Sequence, residues 1–80
     1  MATYTKFTVS LPPAEGFARQ TVEVEVDPAD GEIRIDDATK ARMYSRDARV
    51  SDSARRAIIE AARAEAPRDG VQLYFSHEGP

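Results

Sequence analysis

Gln20-Thr21-Val22-Glu23-Val24-Glu25-Val26-Asp27-Pro28-Ala29-Asp30-Gly31-Glu32-Ile33-Arg34-Ile35-Asp36 alternates polar and apolar residues from Thr21 on, broken once, by Asp27-Pro28-Ala29-Asp30-Gly31. A period of two puts Val22, Val24 and Val26 on one face of a strand and Glu23, Glu25 and Asp27 on the other. The break has turn chemistry, with proline fixing φ early and glycine accepting positive φ near the end. Ile33 and Ile35 then resume the apolar face, with Glu32, Arg34 and Asp36 outside. Residues 20–36 are therefore expected to form a β-hairpin with one greasy and one wet side.

Upstream, Phe7, Val9 and Leu11 alternate with Lys6, Thr8 and Ser10, which predicts a strand over residues 5–11. Pro12-Pro13 ends it, since neither residue can donate to a ladder. Downstream, Asp36-Asp37 offers an N-cap to a short helix over residues 38–46, with Ala38, Ala41 and Tyr44 as a thin apolar stripe. A second helix is expected to start at a Ser51 or Ser53 cap, with Ala54, Ala57, Ile58, Ala61 and Ala62 at helical spacing. Pro67 would end it and Arg68-Asp69-Gly70 would turn the chain. Val71, Leu73 and Phe75 predict a last strand. The order is β-β-β-α-α-β: an α+β domain, residues 1–80, with a small antiparallel or mixed sheet and two helices packed on one face. The expected core is Phe7, Val9, Leu11, Val22, Val24, Val26, Ile33, Ile35, Ile58, Val71, Leu73 and Phe75.

Eighty residues allow one domain, which buries only roughly 60% of its unfolded surface. There is no cysteine, hence neither a disulfide framework nor a thiolate metal site, as suits a reducing compartment. No secretory signal follows Met1, and no apolar run is long enough for a membrane span, so a cytoplasmic location is expected. The net charge of −3 is unevenly shared: residues 1–37 hold eight acids and three bases, residues 38–80 six acids and eight bases. The acidic half suits a basic partner surface.

Chemistry is thinly supplied. The single histidine, His77, lies in Ser76-His77-Glu78, and neighbours on an extended chain point apart, so these three cannot form a triad. No catalytic residue, cofactor or metal is expected. The four glycines sit in turns or the tail and form no phosphate loop. Asp27, Asp30 and Glu32 lack the spacing of a calcium loop. Arg42, Arg46, Arg49, Arg55, Arg56, Arg63 and Arg68 offer a basic stripe for nucleic-acid phosphates, but Glu60 and Glu65 interrupt it, and Arg56 with Glu60 reads as an i, i+4 pair. Glu23, Glu25 and Asp27 are a suggestive row, their carboxylates about 7 Å apart on one strand face, close to the spacing of phosphates. Such a row would fit a basic groove built for DNA.

These residues resemble a family of small anti-CRISPR proteins of phages and mobile elements, a type I-F inhibitor family above all. The likeness is best from Val50 to Gly79: Val50-Ser51, Ala62-Arg63-Ala64, Asp69-Gly70, Leu73 and the tail Ser76-His77-Glu78. Asp36-Asp37 followed by Tyr44 extends it, as does the acid before Gly16-Phe17, with a short insertion between Tyr44 and Val50. The resemblance implies a β-β-α-α-β fold and stoichiometric action, with acids engaging basic residues on the large subunit of the effector complex. Carried over by position, those acids are Glu15, Asp36 and Asp37. The acidic pair of the family's first helix falls on Ala41 and Arg42, a departure that leaves open the subtype and whether the large subunit or a neighbouring DNA-binding subunit is touched.

The expectation is thus a monomeric anti-CRISPR inhibitor, in the cytoplasm of the bacterial host, that binds a type I CRISPR effector complex (Cascade) and blocks target DNA. It would use an acidic, DNA-mimicking surface of Glu15, Glu23, Glu25, Asp27, Asp36 and Asp37, with no direct nucleic-acid contact and no membrane. The alternatives are a nucleic-acid module using the arginine helices and an antitoxin-like protein-interaction domain.

Overall fold

The alternation of residues 20–36 forms the centre of a four-stranded sheet in the computed structural model, which describes residues 3–14, 16–66 and 69–79. Strand β1 (Thr5–Leu11) pairs antiparallel with β2 (Gln20–Val26), which pairs antiparallel with β3 (Glu32–Ile35). Strand β4 (Tyr74–Phe75) lies parallel to β3, so the sheet is mixed, in the order β1-β2-β3-β4. The register sets Val9 beside Val22, Val24 beside Ile35 and Ile33 beside Phe75, so the apolar residues share one face. Helices α1 (Asp37–Met43) and α2 (Ala48–Glu65) cover that face: Met43, Ala54, Ile58 and Ala62 join the strand residues in one buried cluster. This is the expected α+β fold.

Gly31 is required twice over. Its φ is +88°, and an added Cβ would lie 2.3 Å from the Gln72 carbonyl oxygen. Only a residue without a side chain lets the 71–73 segment run past the hairpin so closely.

The helices start and face differently from expectation. Helix α1 occupies Asp37–Met43, and Ala38, Ala41 and Tyr44 are exposed while Thr39, Arg42 and Met43 point inward. The stripe is one residue out of phase because two inward positions are polar: Thr39 is fully hydrogen-bonded, and Arg42 is bonded through both terminal nitrogens while its Nε has no partner. The Asp36 cap accepts from the Thr39 backbone N–H at 2.8 Å and from its hydroxyl at 2.6 Å, so Thr39 is buried without an unmet group. Arg42, the largest fully buried side chain, donates to the Pro12 carbonyl at 2.7 Å and the Ala18 carbonyl at 3.4 Å. Its guanidinium lies over the Phe17 ring, 5.2 Å from the centroid. One arginine thereby ties α1 to the β1–β2 loop.

Helix α2 begins at Ala48, capped by Asp47, whose carboxylate accepts from the Arg49 N–H at 2.9 Å. The expected cap residues sit inside the helix instead: the Ser51 hydroxyl donates to Ser45 at 2.7 Å and that of Ser53 to Val50 at 3.0 Å. The earlier start adds a turn and buries Val50. The helix ends at Glu65 with Ala66 as C-cap, and the expected stop, Pro67, lies outside the described residues. The last strand is only two residues long, and Val71 and Leu73 are half-buried beside it. Phe7 and Ile35 are likewise half-buried, at the margins of the cluster.

Candidate partner-binding face

The helices leave the second face of the sheet open, and the alternation decides what stands on it. Glu23 and Glu25 of β2, Glu32 and Arg34 of β3 and Lys6 of β1 all point away from the core. The Lys6 ammonium lies 4.0 Å from both Glu23 and Glu25, a loose contact on the surface that leaves Glu23 about two-thirds exposed (64%). Such exposed pairs contribute about 0–1 kcal/mol and are weakened by salt. Arg34 is the register partner of Glu25, and its guanidinium sits 4.5 Å above the centre of the Tyr4 ring. The Tyr4 hydroxyl donates to Glu32, and that bond is the main reason its pKa is raised, ahead of burial.

Asp27 does not belong to this row. Strand β2 ends at Val26, the alternation ends with it, and the Asp27 side chain folds back into the turn and is buried. One carboxylate oxygen accepts from the N–H groups of Ala29 at 3.0 Å and Asp30 at 3.3 Å. It is a turn-maker by the mechanism that favours Asp at such sites. The phosphate-like row is thus Glu23 and Glu25, with Lys6 between them.

Asp36 follows β3 at the same end as Glu23. With Glu23, Glu25, Arg34 and Ile35 it lines a shallow hollow of about 300 Å³. Its carboxyl is held below its ordinary range, first by the Thr39 hydroxyl and then by the Thr39 N–H. Asp37 beside it is fully exposed, 3.6 Å from Lys40. The fold therefore gathers Glu23, Glu25 and Asp36 and sets Asp37 alongside; Glu15 lies outside the described residues.

Half of the described arginines expected to form a basic stripe are committed elsewhere. Arg42 is buried, Arg63 donates to the Val71 carbonyl at 2.9 Å, and Arg55 is held by Glu78. Arg68 lies outside the described residues. The Arg56–Glu60 pair expected from spacing is not formed, and Arg46, Arg49 and Arg56 stand exposed among Asp47, Asp52 and Glu60.

A second cluster was hidden from sequence reasoning because its members lie far apart in the chain. Glu78 accepts from Arg55 through both oxygens, at 3.2 and 2.5 Å, and from the Tyr44 hydroxyl at 2.7 Å. These partners, Arg55 first, hold its carboxyl down to about 2, while the Glu78 bond raises Tyr44 and Arg55. The His77 Nε2 stands 2.5 Å from the Tyr44 oxygen, the rings meeting edge to face. A hydroxyl has one proton to give; with Glu78 receiving it, Nε2 must be the donor to Tyr44. Arg55 also covers the Phe75 ring, 5.0 Å from its centroid. The Ser76-His77-Glu78 tail thus serves to fasten β4 to both helices.

Among the described residues no three His, Asp or Glu side chains are grouped to hold a metal ion, and no helix is long and apolar enough to cross a membrane. The architecture defines a small α+β domain whose one uncovered sheet face is rich in acids. No protein family, curated protein or solved structure matches the chain.

Proposed function

We propose that this protein is a stoichiometric anti-CRISPR inhibitor, seating the open face of its sheet on the basic surface where a type I CRISPR effector complex receives target DNA. The observation that carries the reading is the convergence of Glu23, Glu25 and Asp36 on one hollow of a face that neither helix covers. Asp37 follows Asp36 in the chain and Glu32 lies further along β3, so five acids on this side meet three bases, Lys6, Arg34 and Lys40. A surplus of carboxylates on an open face favours docking to a basic groove and speeds encounter at low salt. The likeness of Asp36-Asp37, Tyr44 and Ser76-His77-Glu78 to type I inhibitors supplies the partner class. The binding is to protein, as a monomer in the host cytoplasm, and involves no catalysis; the commitments of Arg42, Arg55 and Arg63 argue against a phosphate-binding helix.

The experiment is capture of a purified type I effector complex, followed by competition with its target duplex. Inhibition should saturate near one inhibitor per binding site and leave every effector subunit chemically unchanged. Glu23→Lys with Asp37→Lys should weaken it about tenfold or more if those carboxylates meet basic groups. Asp36 is a poor choice for reversal, because its carboxylate also caps α1. A folded protein that captures no type I complex, or a double reversal that inhibits like the parent, would remove the proposal.

A further inference from the structure

At the opposite end of β3 from Asp36, the β2–β3 turn and the segment leading into β4 enclose a second hollow, of about 320 Å³. Its lining is chemically mixed: Ala29 and Val71 are aliphatic, Tyr74 offers a ring, Gln72 an amide and Asp30 a carboxylate. The Tyr74 hydroxyl donates to one Asp30 oxygen, Oδ2, which leaves the other with acceptor capacity. That bond, followed by burial and the charges of Asp30 and Glu32, pushes the Tyr74 hydroxyl up to about 12. Asp27, Asp30 and Glu32 surround this end, and among the described residues no base lies within ion-pair distance of any of them. The contrast with the first hollow, which has Arg34 in its own wall, is direct. Among the described residues, the base that hydrogen bonds bring nearest this wall is Arg63, which is held on the Val71 carbonyl and not on a carboxylate.

We propose that this hollow receives one arginine side chain of the partner, its guanidinium on Asp30 and its stem against Ala29, Val71 and the Tyr74 ring. The inference rests on the reading that the partner presents a basic surface, and it adds an anchor point to that surface. At about 320 Å³ the hollow lies at the bottom of the range of small-molecule sites, about 300–1,000 Å³, and it has room for one long side chain. A planar guanidinium can pair with the Asp30 carboxylate through two N–H groups while its edge reaches the Tyr74 ring that the stem lies along. An ammonium would satisfy the first and gain less from the second. The carboxylate and the wall come from different elements, and the close passage at Gly31 fixes the distance between them.

The test uses N-acetyl-arginine amide as the probe, titrated into isotope-labelled protein at constant ionic strength, with N-acetyl-citrulline amide as the neutral isostere. The amide resonances of Gly31, Val71, Gln72 and Tyr74 should shift together and saturate in the millimolar range. Asp30→Asn should weaken that response at least about fivefold, since the charge-assisted bond is lost while Asn keeps the turn chemistry. Tyr74→Phe should lie between the two. Shifts that fail to saturate, that the citrulline compound reproduces, or that persist in Asp30→Asn would overturn the assignment. The titration needs no effector complex, so its failure leaves the charge-reversal test of the open face untouched, and the reverse also holds.

Discussion

Glu78 offers the sharpest test of how the chain closes its own sheet. Replacing it with Gln removes a carboxylate that Arg55 grips through both nitrogens and that Tyr44 also contacts. In the folded protein this group ionises near 2 against an ordinary 4.5, so its stabilising effect is complete above about 4.5 and disappears as pH falls toward 2. The side chain is one-third exposed (34%), and water and salt screen the pair, so the contribution is on the order of 1 kcal/mol. For a domain of this size that corresponds to roughly 4–8 °C in melting temperature. Thermal unfolding followed by circular dichroism, for parent and Glu78→Gln at pH 7, 4 and 2, isolates the group from the other carboxylates that titrate in the same window. The gap between the two proteins should be about 1 kcal/mol at pH 7 and close as pH approaches 2. Arg55→Gln should remove most of the gap at pH 7, because the two substitutions delete the same bond. A gap that is independent of pH, or fully additive substitutions, would refute the reasoning.

Gly31→Ala should destabilise the protein by about 2 kcal/mol or more in denaturant titration, from the positive φ and the clash with Gln72, whereas Gly70→Ala, with open space around it, should cost about 1 kcal/mol. Arg42→Ala should cost about 3 kcal/mol through its cavity and two stranded carbonyls, and hydrogen exchange should quicken in residues 16–18 before the sheet is affected. Asp36→Ala should cost about 1 kcal/mol by loss of the α1 cap, with Asp36→Asn far milder, as equilibrium unfolding would show.

How much of this was legible in the sequence depended on whether a residue's environment is local. The hairpin was readable because alternation and turn chemistry act over a few neighbours, and the strands of residues 5–11 and 20–35 stand where the pattern places them. Helix α1 was placed one residue out of phase because a hydrophobicity pattern treats arginine as surface, whereas Arg42 is buried on carbonyls supplied by the distant loop of Pro12 and Ala18. Asp27 was misread for the opposite reason: the alternation continued on paper through a residue whose side chain the turn had already claimed. The acids Glu23 and Glu25 were visible by period alone, but Lys6 between them is seen only once strand pairing is known. The contacts of Tyr44 and Arg55 with Glu78 span 34 and 23 positions, and no local signal announces such a meeting.

The parallel partnership of β3 and β4 has a consequence for how the molecule is made. Residues 36–73 lie between the two strands, so β4 can be added only after both helices have emerged from the ribosome. Until then the nascent chain can form its three antiparallel strands, but β3 is left as a bare flank with Ile33 and Ile35 unroofed. Such a flank invites pairing with other growing chains. Its brevity and its charged outward pair, Glu32 and Arg34, are the features that discourage this during the wait. Selection on those two side chains would then reflect the seconds of biosynthesis as much as the finished protein, and slow synthesis across residues 36–73 should be the condition under which replacing them is most damaging to yield.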